Sequence, residues 1–215
     1  MKRKILILIS LSLLTVIAFG QDARKLVRGS FNNYKKSILE GQGKEAVKYV
    51  NSKTIEYYDK ELDLVINGDS SAINSLGVID KLTVFVARHR VPKKDLLKMT
   101  GRDFFIYAVD HGMIGKNTVV TVQIGDVTVE GSFANGQMIS NGQKTPLYFQ
   151  FSQEENEWKV DLTSIFPQTN MALTKMISEQ GLSDNDFIFQ TLESLTGRKI
   201  ANDIWMPLNK TTSDK

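Results

Sequence analysis

Cysteine is absent from the 215-residue chain, and histidine occurs only twice, as His89 and His111. Without cysteine there is no disulfide scaffold, thiolate zinc site, iron–sulfur cluster or cysteine nucleophile. Two isolated histidines do not make the three- or four-ligand set that zinc prefers. The acidic runs do not replace it. Asp59, Glu61 and Asp63 alternate along a predicted helix and read as a solvated face. Glu154, Glu155 and Glu157 fall in a predicted hairpin turn, and neither group has the spacing of a calcium loop. No metal or cofactor is therefore expected. Gly41-Gln42-Gly43-Lys44 and Gly115-Lys116-Asn117 lack the full spacing of a phosphate loop. Gly68-Asp69-Ser70 reads as a helix cap, and no Gly-x-Ser-x-Gly nucleophile elbow occurs.

Long apolar runs are missing too, except at the start. Lys2, Arg3 and Lys4 precede the apolar stretch Ile5 to Phe19, and Ala18-Phe19-Gly20 places small residues before Gln21. This is the three-part pattern of a secretory signal, with cleavage expected between Gly20 and Gln21. The stretch is shorter than the roughly 20 residues of a spanning helix. The formal net charge of +3 equals the three leader cations, so residues 21–215 are net neutral. A neutral chain gives no electrostatic footprint for nucleic acid. The expectation is an exported protein of a bacterial periplasm or exterior, with no membrane segment after cleavage.

Residues 21–215 are expected to form one α+β domain, with a helical part at about 22–111, an antiparallel meander at about 117–166 and a C-terminal helical extension at about 168–208. In the first part Val27, Phe31, Tyr34 and Ile38 make one helical stripe, and Ile55, Tyr58, Leu62 and Val65 make another. Asp69 or Ser70 caps a helix expected to run to about Arg90, with Ile73, Leu76, Ile79, Leu82 and Val86 inward. Thr100 caps one more. From Asn117 the period changes to two. Gly125-Asp126, Asn135-Gly136 and Asn141-Gly142 are read as turns, Asn135-Gly136 being the strongest hairpin signal. Trp158, Val160 and Leu162 share one strand face. If that face is the covered one, Asp161 is exposed. Ser183 with Asp186 approximates a capping box for the last helix, lined by Phe187, Ile188, Thr191, Leu192 and Leu195.

Three segments carry a family likeness. They are the helix around Phe31-Asn32-Asn33-Tyr34, the helix Thr54-Ile55-Glu56-Tyr57-Tyr58, and the hairpin Leu147-Tyr148-Phe149-Gln150-Phe151 with Glu157-Trp158-Lys159-Val160-Asp161-Leu162. Over about residues 22–166 the chain resembles the nuclear transport factor two-like superfamily, the cone fold of ketosteroid isomerase and polyketide-cyclase-like proteins, and especially its exported bacterial members. The resemblance implies a conical pocket between the sheet and the helices. Some members use it for isomerase, dehydratase or cyclase chemistry, with an Asp or His base and a Tyr donor. Many exported members look like binding or assembly modules.

No family catalytic motif can be laid on this sequence residue by residue. The candidates for acid–base work are His111, Asp110, Tyr58 and Tyr107, and those for binding are Tyr148 and Trp205. Three readings follow. The first is a non-catalytic binding or assembly module, with a small hydrophobic ligand or a protein partner and a homodimer as one form. The second is an isomerase or dehydratase with a carboxylate or histidine of matched pKa in its pocket. The third is an envelope interaction module acting through the C-terminal segment around Trp205 and Met206.

Overall fold

The computed structural model describes residues 22–114 and 116–209. The expected leader and its Gly20–Gln21 cleavage point lie outside the described residues. The chain is α+β. Its elements are α1 (22–40), α2 (Gly43–Ala46), α3 (Ser52–Asn67), α4 (Ser70–Asn74), α5 (Val78–Arg90), α6 (Lys93–Leu96), α7 (Gly101–Asp110) and α8 (Lys116–Val120). There follow β1 (Val122–Glu130), β2 (Phe133–Ser140), β3 (Gln143–Glu154), β4 (Glu157–Asp161), α9 (Phe166–Glu179) and α10 (Asp184–Thr196). Single 3-10 turns span Leu162–Ile165 and Asn202–Trp205. These elements form two compact units, each built from two separate stretches of chain. One holds the residues up to Asn51 with Gly115–Leu162, the other Ser52–Ile114 with the residues from Thr163 onward.

The first unit is α1 packed on a four-stranded antiparallel sheet of order β1-β2-β3-β4. The stripe read from the sequence is the buried one: Val27, Phe31, Tyr34 and Ile38 are each 3% exposed or less. Phe31 meets Phe149 of β3 at 5.1 Å between ring centroids. Burying rings of this size is the main favourable term, about 3–5 kcal/mol for a Phe truncated to Ala. Polar contacts fix the helix over the strands. Ser30 Oγ donates to the Trp158 carbonyl at 2.6 Å. Lys35 Nζ donates to the carbonyls of Val120 and Val122 at 2.7 and 2.8 Å, and Arg28 donates to that of Gly125. The outer edge of β4 is closed by residues 49–51, with Asn51 N donating to Val160 O at 3.0 Å and Val160 N to Tyr49 O at 2.8 Å.

The meander differs from its sequence reading in segmentation. Residues 116–120 are a helical turn, so the sheet starts at Val122. Gly125-Asp126 is not a turn but lies in a register shift within β1, between Ile124 and Val127. Asn135-Gly136 is not a hairpin either. It runs through β2, where Gly136 pairs with Val127 on one side and Phe149 on the other. A Cβ at 136 would lie 2.9 Å from Ile124 Cγ2 and 3.1 Å from Phe151 Cε2. The glycine there serves close packing. The actual turns are Gly131-Ser132, Asn141-Gly142 as expected, and Glu155-Asn156, where both residues have positive φ (52° and 65°) without a glycine. Trp158 and Val160 are covered. Asp161 is only 3% exposed, against the expectation of a solvated position. It is the last residue of β4, where alternation gives way to the 3-10 turn.

In the second unit α3 packs on α5 and α7, and α5 on α9 and α10. Side-chain caps set the helix starts. Asp69 accepts from Ala72 N at 2.9 Å. Thr100 and Asp103 form a reciprocal capping box at 3.0 and 3.2 Å. Ser183 accepts from Asp186 N at 3.1 Å. The helix expected over residues 70–90 is broken between α4 and α5. Gly77 sits against Asn170 of α9, whose amide a Cβ would meet at 3.1–3.2 Å. Asn170 Oδ1 accepts from Ile79 N at 2.9 Å, an N-terminal cap supplied from another helix. The break rotates the face, so Val78, Val84 and Phe85 are buried, while Leu76, Ile79, Leu82 and Val86 are only partly covered. Leu195, expected inward, is 75% exposed. Arg88 ties the unit together by donating to the carbonyls of Leu64, Val65, Gly68 and Ile204 at 2.6–3.1 Å.

Candidate functional site

The opposite flank of α1 from its buried stripe is lined by small and polar residues. Asp22, Lys25, Leu26, Gly29, Asn32 and Asn33 recur at helical spacing. They form one wall of a cleft of about 810 Å³ in the first unit. The other wall is Tyr49, before the strap over β4, and Asn156, Glu157 and Trp158 at the β3–β4 turn. Gly29 borders open space, since a Cβ there would meet nothing within 4 Å. The Ser30–Trp158 hydrogen bond anchors the two walls to each other. The cleft combines an apolar side chain that is 61% exposed, Leu26, with two aromatic residues and three side-chain amides. It contains no histidine. Amides and rings orient and bury a ligand, and Asp22, Lys25 and Glu157 add charge of both signs to the walls.

The acid–base candidates lie elsewhere, in the second unit. His111 is the exposed C-cap of α7. Its ring stacks on Tyr107 with centroids 3.7 Å apart and planes 11° apart, and its Nδ1 donates to the Tyr107 carbonyl at 2.9 Å. Asp110 precedes it and is exposed. Tyr58 is buried, with edge contacts to Phe104 and Phe105 at 6.0 and 5.1 Å. It lines an apolar cavity of about 100 Å³ with Leu82, Val86, Ala108 and Met113 among others. Tyr107 and His111 are thus brought together, on the surface. Of the binding candidates, Tyr148 is 48% exposed on the open sheet face, opposite Gln137 and on the same side as Phe133. Trp205 is packed inward, edge-on to Phe85 at 4.7 Å and to Phe189 at 5.8 Å.

One group with unusual chemistry was missed in the sequence. Glu61, read as part of a solvated face, is 3% exposed, and its Oε2 has no hydrogen-bond partner. Burial, reinforced by the Asp80 carboxylate, pushes its carboxyl up to about 9. Tyr57 on the same helix donates to Asp80 Oδ1 at 2.9 Å. Burial and the same two acids hold its phenol well above the usual range. The signal was present. Glu61 is three residues after Tyr58 and four before Val65, inside the arc that the α3 stripe buries. Its neighbours Asp59 and Asp63 are exposed, and Asp59 Oδ1 accepts from Gly101 N at 2.6 Å, where α3 and α7 approach closely.

Among the described residues no three His, Asp or Glu side chains converge on a metal position, and no helix is long and apolar enough to cross a membrane. No protein-family model, curated protein or solved structure matches the chain.

Proposed function

We propose that the protein is an exported, non-catalytic binding module and that the cleft along α1 holds its ligand. The observation that carries this reading is the cleft itself. At about 810 Å³ it falls within the roughly 300–1,000 Å³ of small-molecule sites. The exposed Leu26 side chain fits a ligand with a hydrophobic body, and Asn32, Asn33 and Asn156 offer donors and acceptors at the rim. A helix laid on an antiparallel sheet also supports the resemblance to exported members of the nuclear transport factor two-like superfamily, many of which look like binding or assembly modules. In this chain the space beneath α1 is filled by Phe31, Phe149 and Phe151, so the opening lies beside the helix.

Gly29→Phe tests the assignment. The new ring would enter open space, and replacing a mid-helix glycine favours the helix. The variant is expected to fold and to lose the ligand that the wild type retains in native mass spectrometry. A ligand retained equally by both proteins would sink the cleft as the site.

The runner-up is acid–base catalysis, and Glu61 is the observation in its favour, as a carboxyl that keeps its proton at neutral pH. Against it stands space. The cavity lined by the neighbouring Tyr58 is about 100 Å³, below the size of ordinary substrate sites. Glu61 itself is not on that cavity's lining.

A further inference from the structure

Cations concentrate at one place in the second unit that the α1 cleft leaves unexplained. α5 ends in Arg88-His89-Arg90, and the chain leaving α10 continues Arg198-Lys199. By sequence the first run reads as a solvated helix end. The two runs meet in space. Arg198 Nη2 donates to the His89 carbonyl at 2.9 Å, and Arg198 N to Thr196 Oγ1 at 3.3 Å. His89 Nε2 lies 2.9 Å from the same hydroxyl. Beside this junction is a cavity of about 310 Å³, lined by Arg88, His89, Arg198, Lys199, Asp203 and Leu208 among others.

The hydrogen bonds leave donors over. Thr196 Oγ1 gives its single hydrogen to the Leu192 carbonyl at 2.7 Å, so toward His89 it can only accept. Nε2 of His89 therefore carries a hydrogen, and Nδ1 is the nitrogen that gains or loses a proton. Among the described residues Nδ1 has no partner, and neither do Nε and Nη1 of Arg198. Neutralising the carbonyl ends of α5 and α10 would explain some of these cations. It explains Arg88, whose guanidinium is taken up by four carbonyls. It does not explain a guanidinium with most of its fork unused beside an imidazole with a free nitrogen. The charges do not cancel either. On the lining Arg88, Arg198 and Lys199 stand against Asp203, and Lys199 is paired with Glu193 at 2.6 Å. Burial and the fields of Arg198 and Arg90, opposed by Glu193, hold His89 below its ordinary value.

We propose that this cavity binds a phosphate monoester, with the phosphate on Arg198 and His89 and the organic part against Ile204 and Leu208. A guanidinium fork and an imidazolium N–H match the oxygens of a tetrahedral dianion. The cavity is larger than the phosphate group alone needs, and Ala201, Ile204 and Leu208 give it an apolar stretch of wall. Asp203 on the lining repels the anion and sets a limit on affinity. Because the ligand brings negative charge to Nδ1, binding takes up a proton at His89. By linkage, binding weakens as pH rises through the His89 titration.

The chain's two histidines make this measurable. Both imidazoles are titrated by NMR in the purified protein, with and without phenyl phosphate at constant ionic strength. The expected result is a saturable upward move of the His89 titration with His111 unmoved. Arg198→Gln, which gives up one surface hydrogen bond, weakens binding at least about tenfold with the melting temperature retained. Asp203→Asn tightens it. Vesicles with and without phosphatidic acid, which carries the same monoester group, separate the sources. A His89 response to phenyl phosphate assigns a soluble ester, and one to the vesicles alone assigns a lipid headgroup. No response to either, equal movement of His89 and His111, or unchanged binding in Arg198→Gln overturns the proposal.

Discussion

Glu61 shows how one side chain can set the pH response of a helical unit. Its ordinary value is 4.5, and in the folded protein it is raised to about 9. Between those values the unfolded chain has released a proton that the folded protein still holds. Stability therefore falls as pH rises through that window, by up to about 1.4 kcal/mol per pH unit, and levels off above it. Below about pH 4 both states are protonated and the penalty is absent. Glu61→Gln keeps the shape and removes the ionisation. Melting temperatures of wild type and variant should coincide near pH 4 and separate toward pH 9, with the variant the more stable. A variant less stable at alkaline pH would show that the carboxylate is compensated when charged. The other instructive residue is Gly136. An Asn-Gly pair signals a type I′ turn when only local conformation is considered. Here neighbours on both adjacent strands occupy the space a Cβ would need, a constraint no window of sequence contains. Asp161 is the same lesson at a strand end, where alternation no longer assigns a face.

Among elements, those governed by their own residues were readable. The α1 stripe, the Asp69, Thr100 and Ser183 caps and the Asn141-Gly142 turn each rest on residues within a few positions. Elements governed from a distance were not. α5 starts where it does because Asn170, 91 positions away, bonds Ile79 N. Asn170→Ala leaves that amide without its acceptor and is expected to cost about 1 kcal/mol, the scale of a lost N-cap. Chemical denaturation should show a lower midpoint with an unchanged slope. An unchanged midpoint would mean that solvent replaces the cap fully. The candidate cleft divides in the same way. Its α1 wall follows a helical period, but the Tyr49 and Trp158 wall exists only once β4 lies beside residues 49–51.

For the molecule as a whole, the C-terminal segment separates a structural role from an interaction role. Ile204 is buried, its carbonyl accepts from Arg88 Nη1 at 2.8 Å, and Leu208 N donates to Ile66 O at 2.8 Å. Trp205 lies against two phenylalanines. Removing residues 198–215 strips all of this, and the loss of a large packed ring alone is worth about 3–5 kcal/mol. The truncated chain is expected to lose near-ultraviolet circular dichroism and sharp thermal unfolding. A truncated protein that melts like the full chain would instead make the segment a surface for a partner.

The two-stretch construction of each unit has a consequence for timing. Ser30 waits for Trp158, a separation of 128 residues, before its hydrogen bond can form. A chain that leaves a ribosome or a translocation pore from its N-terminus presents α1 first. Val27, Phe31, Tyr34 and Ile38 then stay uncovered until the last strand of the sheet has emerged. At about 5–20 residues per second, synthesis alone imposes a delay of roughly 6 to 26 seconds on that closure. During it, most of the second unit's first half also becomes available, so early helical contacts can form before the sheet does. No single cut in the chain releases either unit intact, and an isolated copy of one would require its two stretches to be rejoined by a new linker.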